Sequence, residues 1–169
     1  MADILPDKEI EKLLGNCIIN GEKEHIKSSS YVLRLGEEAK FFSTNETKNL
    51  AKGSYLEIGP GEMVLIHSIE DINFKEAVQE IYPGCELAGF ITPTTTMMRE
   101  GFLFSATRIE PGFKGTLNWS IRNSTTKPIL LPFGEELFKL TIFKLSEHEK
   151  PDLLSGALTC PRFVYHLKC

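Results

Sequence analysis

The sequence predicts a mainly β protein, an antiparallel sandwich or barrel that begins with a short helix. Two observations predict this class. Beyond residue 100, short segments rich in aromatic and β-branched residues follow one another, separated by Gly, Pro or Asn turns. The clear helical spacings both come earlier in the chain. Such close spacing of strands leaves no room for the helices of βαβ units.

The first helix is predicted from apolar residues at i, i+3, i+4 and i+7, namely Ile10, Leu13, Leu14 and Cys17. Pro6 and Asp7 mark its start, and Gly15 lies near its end.

Helical spacing returns before the Pro83-Gly84 stop, in Phe74, Ala77, Val78 and Ile81. Residues 31–36 alternate in polarity and residues 62–69 are mostly apolar, as in strands. Later strands are predicted within 101–109, 115–124, 127–134 and 137–145.

Length and charge limit the functions that this chain can have. With 169 residues, 41% of them apolar, and no linker-like stretch, residues 1–169 are predicted to form a single domain. The net charge of -4 argues against a nucleic-acid partner, although local cations can still bind a small anion. The N-terminus is charged, and no apolar run approaches the length of about 18 residues that a membrane helix needs. Both features predict a cytoplasmic protein without a membrane partner.

Cysteine and histidine spacing argues against a metal centre made by the protein alone. The cysteines are scattered and form no C-x-x-C pair, which predicts reduced thiols: Cys17, Cys85, Cys160 and Cys169. The histidines also lie far apart in sequence: His25, His67, His148 and His166. The H-x-E and P-C-x-x-C signature of zinc deaminases is absent, so any deamination would proceed without zinc.

Several short motifs, in order along the chain, resemble those of the dCTP deaminase and dUTP diphosphatase superfamily. They are ILPDKEIEKLL, SSSYVLRLG, TTTMMREGF, SATRIEPGFKG, the NS at 123–124 and LLPFGEELFKL. The resemblance covers about residues 1–145, and its leading helix is similar to the deaminase branch. It implies a distorted β-barrel or jelly-roll of the dUTPase-like type, with one or two further short helices. It also implies a homotrimer with sites between subunits for a deoxypyrimidine nucleoside triphosphate, accompanied by Mg²⁺.

Glu110 is the candidate catalytic residue. It matches the position where the family has an aspartate beside the sugar and the attacking water, and hydrolysis at the α-phosphorus needs such a carboxylate. Glutamate keeps the charge and reaches about 1.5 Å further. The alternative is that Glu110 only precedes Pro111 and Gly112 in a hairpin turn, where polar residues are common.

Thr95, Thr96 and Arg99 are the candidate phosphate-binding residues. By resemblance, the two threonines keep the hydroxyl donors of the family's serines, and Arg99 matches the later cation of that segment. Thr94 stands where the family has its first arginine, which should weaken affinity. The alternative is a polar loop that leads into a buried pair of methionines, Met97 and Met98.

Other positions decide between activities. Val32 replaces an acidic residue linked to the metal or its waters, and Ser120 stands where a zinc-free deaminase has its proton-shuttling glutamate. A serine hydroxyl is a poor general base unless a neighbour activates it. Arg108 and Asn123 match positions that line the nucleotide pocket or hold its loops, which are also ordinary choices at turns and strand ends.

The C-terminal tail, residues 146–169, has no clear match to the arm that closes the family's site. Its RFVYHL segment alternates as one buried strand face does, so a structural strand is the favoured interpretation. Three functions follow for the whole chain. They are hydrolysis of dUTP to dUMP and pyrophosphate, zinc-free deamination of dCTP to dUTP, and a degenerate scaffold that binds nucleotide or protein without catalysis.

Overall fold

The computed structural model describes residues 2–75, 77–105 and 107–146. The helical segments are α1 Asp7–Leu13, a 3₁₀ turn Lys23–His25, α2 Ala77–Ile81 and α3 Thr95–Arg99. The strands are β1 Ala2–Ile4, β2 Ile18–Ile19, β3 Tyr31–Phe41, β4 Thr47–Asn49, β5 Tyr55–Ile58, β6 Met63–Asn73, β7 Glu86–Pro93, β8 Phe102–Phe104, β9 Thr107–Ile109, β10 Lys114–Asn123, β11 Ile129–Pro132 and β12 Glu136–Leu145. The predicted mainly β class with a few short helices is therefore confirmed.

The strands form a curled antiparallel sheet in the order β8-β10-β6-β3-β12-β7-β9. The short strands β1, β2 and β4 extend it by pairing with β12, β6 and β3, and β5 pairs with β11 as a separate ribbon. The last strand, β12, lies inside the sheet, with β7 on one edge and β3 followed by β1 on the other. This arrangement confirms the predicted antiparallel pairing.

Helix α1 forms where the sequence predicts it. Pro6 takes the N-cap position, and the acidic side chains of Asp7 and Glu9 lie in the first turn, where they complement the helix dipole. Ile10 and Leu13 are buried, so burial of this apolar face holds the short helix on the sheet. The second predicted helix is confirmed as α2. Among the described residues, no helix has the length and apolar character required to cross a membrane.

The strand predicted at residues 31–36 is confirmed as the start of β3, and the structure adds that all six residues are buried. The side chain of Arg34 lies inside the protein beside Glu70. Residues 101–109 form two strands rather than one, with β8 paired to β10 and β9 paired to β7. The turn at residues 110–113 is therefore not a hairpin, because β9 and β10 pair with different partners in the sheet.

The core fills the curl of the sheet. Trp119 of β10 stacks on Phe138 of β12, with ring centroids 4.6 Å apart, and Phe104 packs edge-on against the same Phe138 ring. Strands β3 and β6 approach closely where their register shifts: a Cβ on Gly36 would lie 2.7 Å from the carbonyl oxygen of Ser68. Only glycine fits there. The predicted strand RFVYHL falls outside the described residues.

Candidate functional site

Glu110 lies directly after β9 and is fixed by an ion pair with Arg108. Because alternate residues of a strand face the same side, the guanidinium reaches the carboxylate two residues on. Arg108 Nε donates to Glu110 Oε1 at 2.9 Å, and Arg108 Nη2 donates to Oε2. Both side chains are partly exposed. Such a bidentate pair uses one lone pair on each carboxylate oxygen, so Glu110 keeps a second lone pair on each oxygen that can accept a hydrogen bond from water.

Helix α3 carries the predicted phosphate-binding residues. Thr94 is its N-cap: the hydroxyl oxygen accepts a hydrogen bond from Met97 N at 3.3 Å, so this side chain is committed to the helix start. Thr95, Thr96 and Arg99 are exposed on the five-residue helix. Met97 is buried but Met98 is 63% exposed, so the interpretation of Met98 as a core residue is wrong.

A small pocket of about 120 Å³ lies beside α3 and offers oxygen ligands. It is lined by Thr96 and by the carboxylates of Glu100, Glu135 and Glu136. Burial, and then the charges of Glu136 and Glu100, raise the pKa of Glu135 above its usual value. Hard cations such as Mg²⁺ take oxygen ligands, but within the described residues these three carboxylates do not bring their ligand atoms within 4.8 Å of one another. Val32 is buried and offers no oxygen.

The two predicted pocket residues on β10 have different roles. Ser120 lies on the outward face, opposite Leu65 of β6, and its hydroxyl makes no hydrogen bond within the part of the chain that the structure describes. Asn123 is fully buried: its amide donates to Ile58 O at 2.9 Å and to Lys127 O at 2.8 Å. Its carbonyl accepts from the amide and the hydroxyl of Thr125. Asn123 therefore holds the loop after β10.

One chain on its own does not bring all of these groups together. Ile109 lies opposite Gly89 in the β9–β7 pairing, which places Glu110 level with Ala88. Strand β7 runs from there towards α3, so at about 3.3 Å per residue Glu110 lies on the order of 20 Å from Thr95. A carboxylate at that distance cannot act on a phosphate held by the threonines of its own α3.

Sequence reasoning missed a buried polar network around Arg34. The Nε of Arg34 donates to Glu70 Oε1 at 2.7 Å, its Nη1 donates to Glu22 Oε1 at 2.7 Å, and its Nη2 donates to Asn20 O at 2.8 Å. Tyr31 OH also donates to Glu70, at 3.2 Å. Burial opposes the charge of Arg34, but hydrogen bonds to Glu70 and Glu22 outweigh it and raise the pKa of the guanidinium. The signal was an arginine and a glutamate inside otherwise apolar strands.

This network forms one wall of a groove of about 750 Å³ between β3, β6 and β10. The groove is acidic, since Glu37, Glu38 and Asp71 line it together with Glu22. As the described residues define it, none of the predicted site residues lines this groove. A triphosphate would meet like charges there, so the groove is not the predicted nucleotide site.

Comparisons with known proteins agree with the motifs. The family model described as dCTP deaminase-like matches residues 4–145. The dCTP deaminase of Thermococcus gammatolerans is 28% identical over 151 residues, covering 87% of this chain and 85% of that protein. A dUMP-forming dCTP deaminase of Salinispora arenicola is 31% identical over 102 residues, which cover 59% of this chain and 48% of the relative.

The fold is shared with a solved structure. The 2'-deoxycytidine 5'-triphosphate deaminase from Agrobacterium tumefaciens superposes with a TM-score of 0.70 at 16% sequence identity, over 91% of this chain. The match covers 52% of that protein, so this chain spans about half its length. At that identity the likeness shows the fold alone, and it confirms the predicted dUTPase-like fold class.

Proposed function

The chain belongs to the dCTP deaminase-like family, and from this premise we propose that it binds deoxypyrimidine nucleoside triphosphates and hydrolyses dUTP to dUMP and pyrophosphate. The observation that supports hydrolysis is the exposed Glu110 carboxylate, which is held beside the guanidinium of Arg108. Hydrolysis requires one carboxylate for the water, whereas deamination requires a proton shuttle as well. Ser120 does not provide that shuttle.

The proposed reaction assigns a task to each residue. Arg108 binds the negative charge of the substrate, and the Glu110 carboxylate accepts a proton from water. The water oxygen bonds to the α-phosphorus as the bond from that phosphorus to the α,β-bridging oxygen breaks, and pyrophosphate departs. Thr95, Thr96 and Arg99 hold the phosphates. The family resemblance implies that Mg²⁺ would accompany the triphosphate, where it would supply charge neutralisation.

The distance of roughly 20 Å between Glu110 and Thr95 in one protomer supports a site built between copies. We therefore propose a homotrimer in which Glu110 of one protomer faces α3 of another, since closed cyclic assemblies repeat such a contact at every interface. Light scattering at micromolar concentration measures the assembly directly. A monomer that still hydrolyses dUTP would refute this arrangement.

Deamination of dCTP is the second candidate function, and the names of the relatives favour it. With Ser120 in place of a proton-shuttling glutamate, dCTP conversion should lose most of the about 10²–10⁴-fold that general acid-base catalysis provides. Rapid protein-dependent conversion of dCTP to a uracil nucleotide would make deamination the main activity. Absence of both activities, with retained nucleotide binding, would leave the scaffold function.

The test is incubation of the purified protein with dUTP and with dCTP, each with Mg²⁺, followed by separation of nucleotides and pyrophosphate. Glu110→Gln is nearly isosteric but accepts no proton, so turnover of dUTP should fall by about 10²-fold or more while nucleotide affinity persists. Glu110→Asp, which restores the usual family residue, should retain activity. Glu57→Gln on β5 is the matched control, because Glu57 is also exposed. An unchanged rate in Glu110→Gln would refute the catalytic role.

A further inference from the structure

The fold places His25 against carboxylates on two sides. Its Nδ1 lies 2.7 Å from Glu136 Oε1 of β12, and its Nε2 lies 3.6 Å from Glu24 Oε1. One possible metal-ligand atom from each of Glu22, Glu24 and His25, a carboxylate oxygen or a ring nitrogen, lies within 4.8 Å of the other two. The 3₁₀ turn Lys23–His25 brings these neighbours in sequence together, because residues three apart share one side of such a helix.

The ring of His25 presents each of its nitrogens to a carboxylate: Nδ1 to Glu136 and Nε2 to Glu24. A carboxylate only accepts hydrogen bonds, so the contact with Glu136 places a proton on Nδ1. The lone pair of Nε2 then faces Glu24, which is also an acceptor. Two acceptors in contact repel each other unless a second proton or a metal ion lies between them. The side chain of His25 is only 12% exposed, so it cannot turn freely into solvent.

We propose that Glu22, Glu24 and His25 bind a divalent transition metal ion, with Glu136 as the residue that orients the imidazole. One imidazole nitrogen and two carboxylates suit Zn²⁺, Co²⁺ or Mn²⁺ better than Mg²⁺, which prefers oxygen ligands alone. A carboxylate that accepts the far ring proton of a metal-bound histidine is the usual support of such a ligand.

The surrounding charges are compatible with a cation. Glu22 uses Oε1 for Arg34, which leaves Oε2 as a ligand. Glu24 is 75% exposed at its side chain, so water can complete the coordination sphere. Arg34 bonds both Glu22 and Glu70. Lys23 is paired with Glu11, and Lys27 Nζ lies 3.7 Å from Glu136 Oε1. This site uses a nitrogen ligand, and it shares Glu136 with the lining of the small pocket beside α3.

The experiment measures metal binding by the whole chain, free of tags and treated with chelator. Co²⁺ and Zn²⁺ are titrated by calorimetry, and Co²⁺ also by its visible absorption, in two buffers of different ionisation enthalpy to count released protons. We expect His25→Ala to remove one site and Glu136→Gln to weaken it by about 10–100-fold. His67→Ala is the matched control, since His67 contacts a single carboxylate, Glu38, at 3.9 Å.

Circular dichroism and the fluorescence of Trp119 check that each variant is folded. Equal Co²⁺ stoichiometry and affinity in the wild-type protein and in His25→Ala would overturn the proposal, and so would a preference for Mg²⁺ over Co²⁺. Absence of any Co²⁺ or Zn²⁺ site in the wild-type protein would show that a proton alone lies between His25 and Glu24. A loss confined to His67→Ala would move the site to the acidic groove.

Discussion

Replacing Glu70 by glutamine tests whether the buried network around Arg34 stabilises the fold. Glu70 is fully buried, and its carboxylate accepts hydrogen bonds from Arg34 N, Arg34 Nε and Tyr31 OH. Glutamine has the same shape but only one acceptor oxygen. Its NH₂ group would therefore face one of these donors, and the guanidinium would lose the charge that compensates its burial.

The expected cost follows from what remains around Arg34. Removing one partner of a buried ion pair costs about 3–5 kcal/mol. Arg34 keeps Glu22, whose side chain is 55% exposed and therefore screened by water. We expect the lower end of that range, about 3 kcal/mol, which corresponds to a fall in Tm of roughly 6–12 °C for a chain of this size.

Denaturant unfolding at fixed protein concentration measures this difference, because assembly would otherwise change the apparent stability. Trp119, the one tryptophan of the sequence, reports on the core through its contact with Phe138. Glu57→Gln is the control and should stay within about 0.5 kcal/mol, as most exposed substitutions do. A Glu70→Gln protein whose free energy of unfolding matches that control would refute a stabilising role for the network.

Three further outcomes are expected. Asn123→Ala should lower the free energy of unfolding by about 2–4 kcal/mol, measured by denaturant titration, because buried partners in the loop lose their hydrogen bonds. Glu135→Gln should raise Tm at pH 7: the folded state raises the pKa of Glu135 above 4.5, so ionisation costs stability as pH rises, and the gain should vanish in scans below pH 4.5. Burial raises the pKa of Cys17 to about 11, so mass spectrometry should find native Cys17 alkylated more slowly than Cys85.

Local patterns in the sequence were sufficient for most of the elements. Helix α1 was predicted because its apolar spacing and its Pro6 start are properties of neighbouring residues. Pairing was harder, since it depends on contacts between distant segments. The turn at Glu110 carries ordinary turn residues, yet its flanking strands join different neighbours, which no property of the turn itself specifies. An arginine that is exposed to solvent and an arginine that is buried against a carboxylate also give the same sequence pattern. The burial of Arg34 could therefore not be predicted.

The sequence predicted only those contacts of the candidate site that form between neighbouring residues of a short motif. Thr95, Thr96 and Arg99 do share α3, and Arg108 does contact Glu110. The cluster at His25 was missed because its partners are glutamates, and one of them, Glu136, is separated from it by more than half of the chain. A search for spaced histidines and cysteines does not detect such a set.

The position of β12 has a consequence for how the protein is made. This strand is synthesised after all the others described, yet its partners β1, β3 and β7 were made long before it. While the chain leaves the ribosome, β3 and β7 therefore wait with unpaired edges, exposed to pairing with other molecules. Closing such long loops late is slow. Newly made chains should depend on chaperones until residue 145 has emerged, and truncation before β12 should yield aggregates rather than a smaller folded unit.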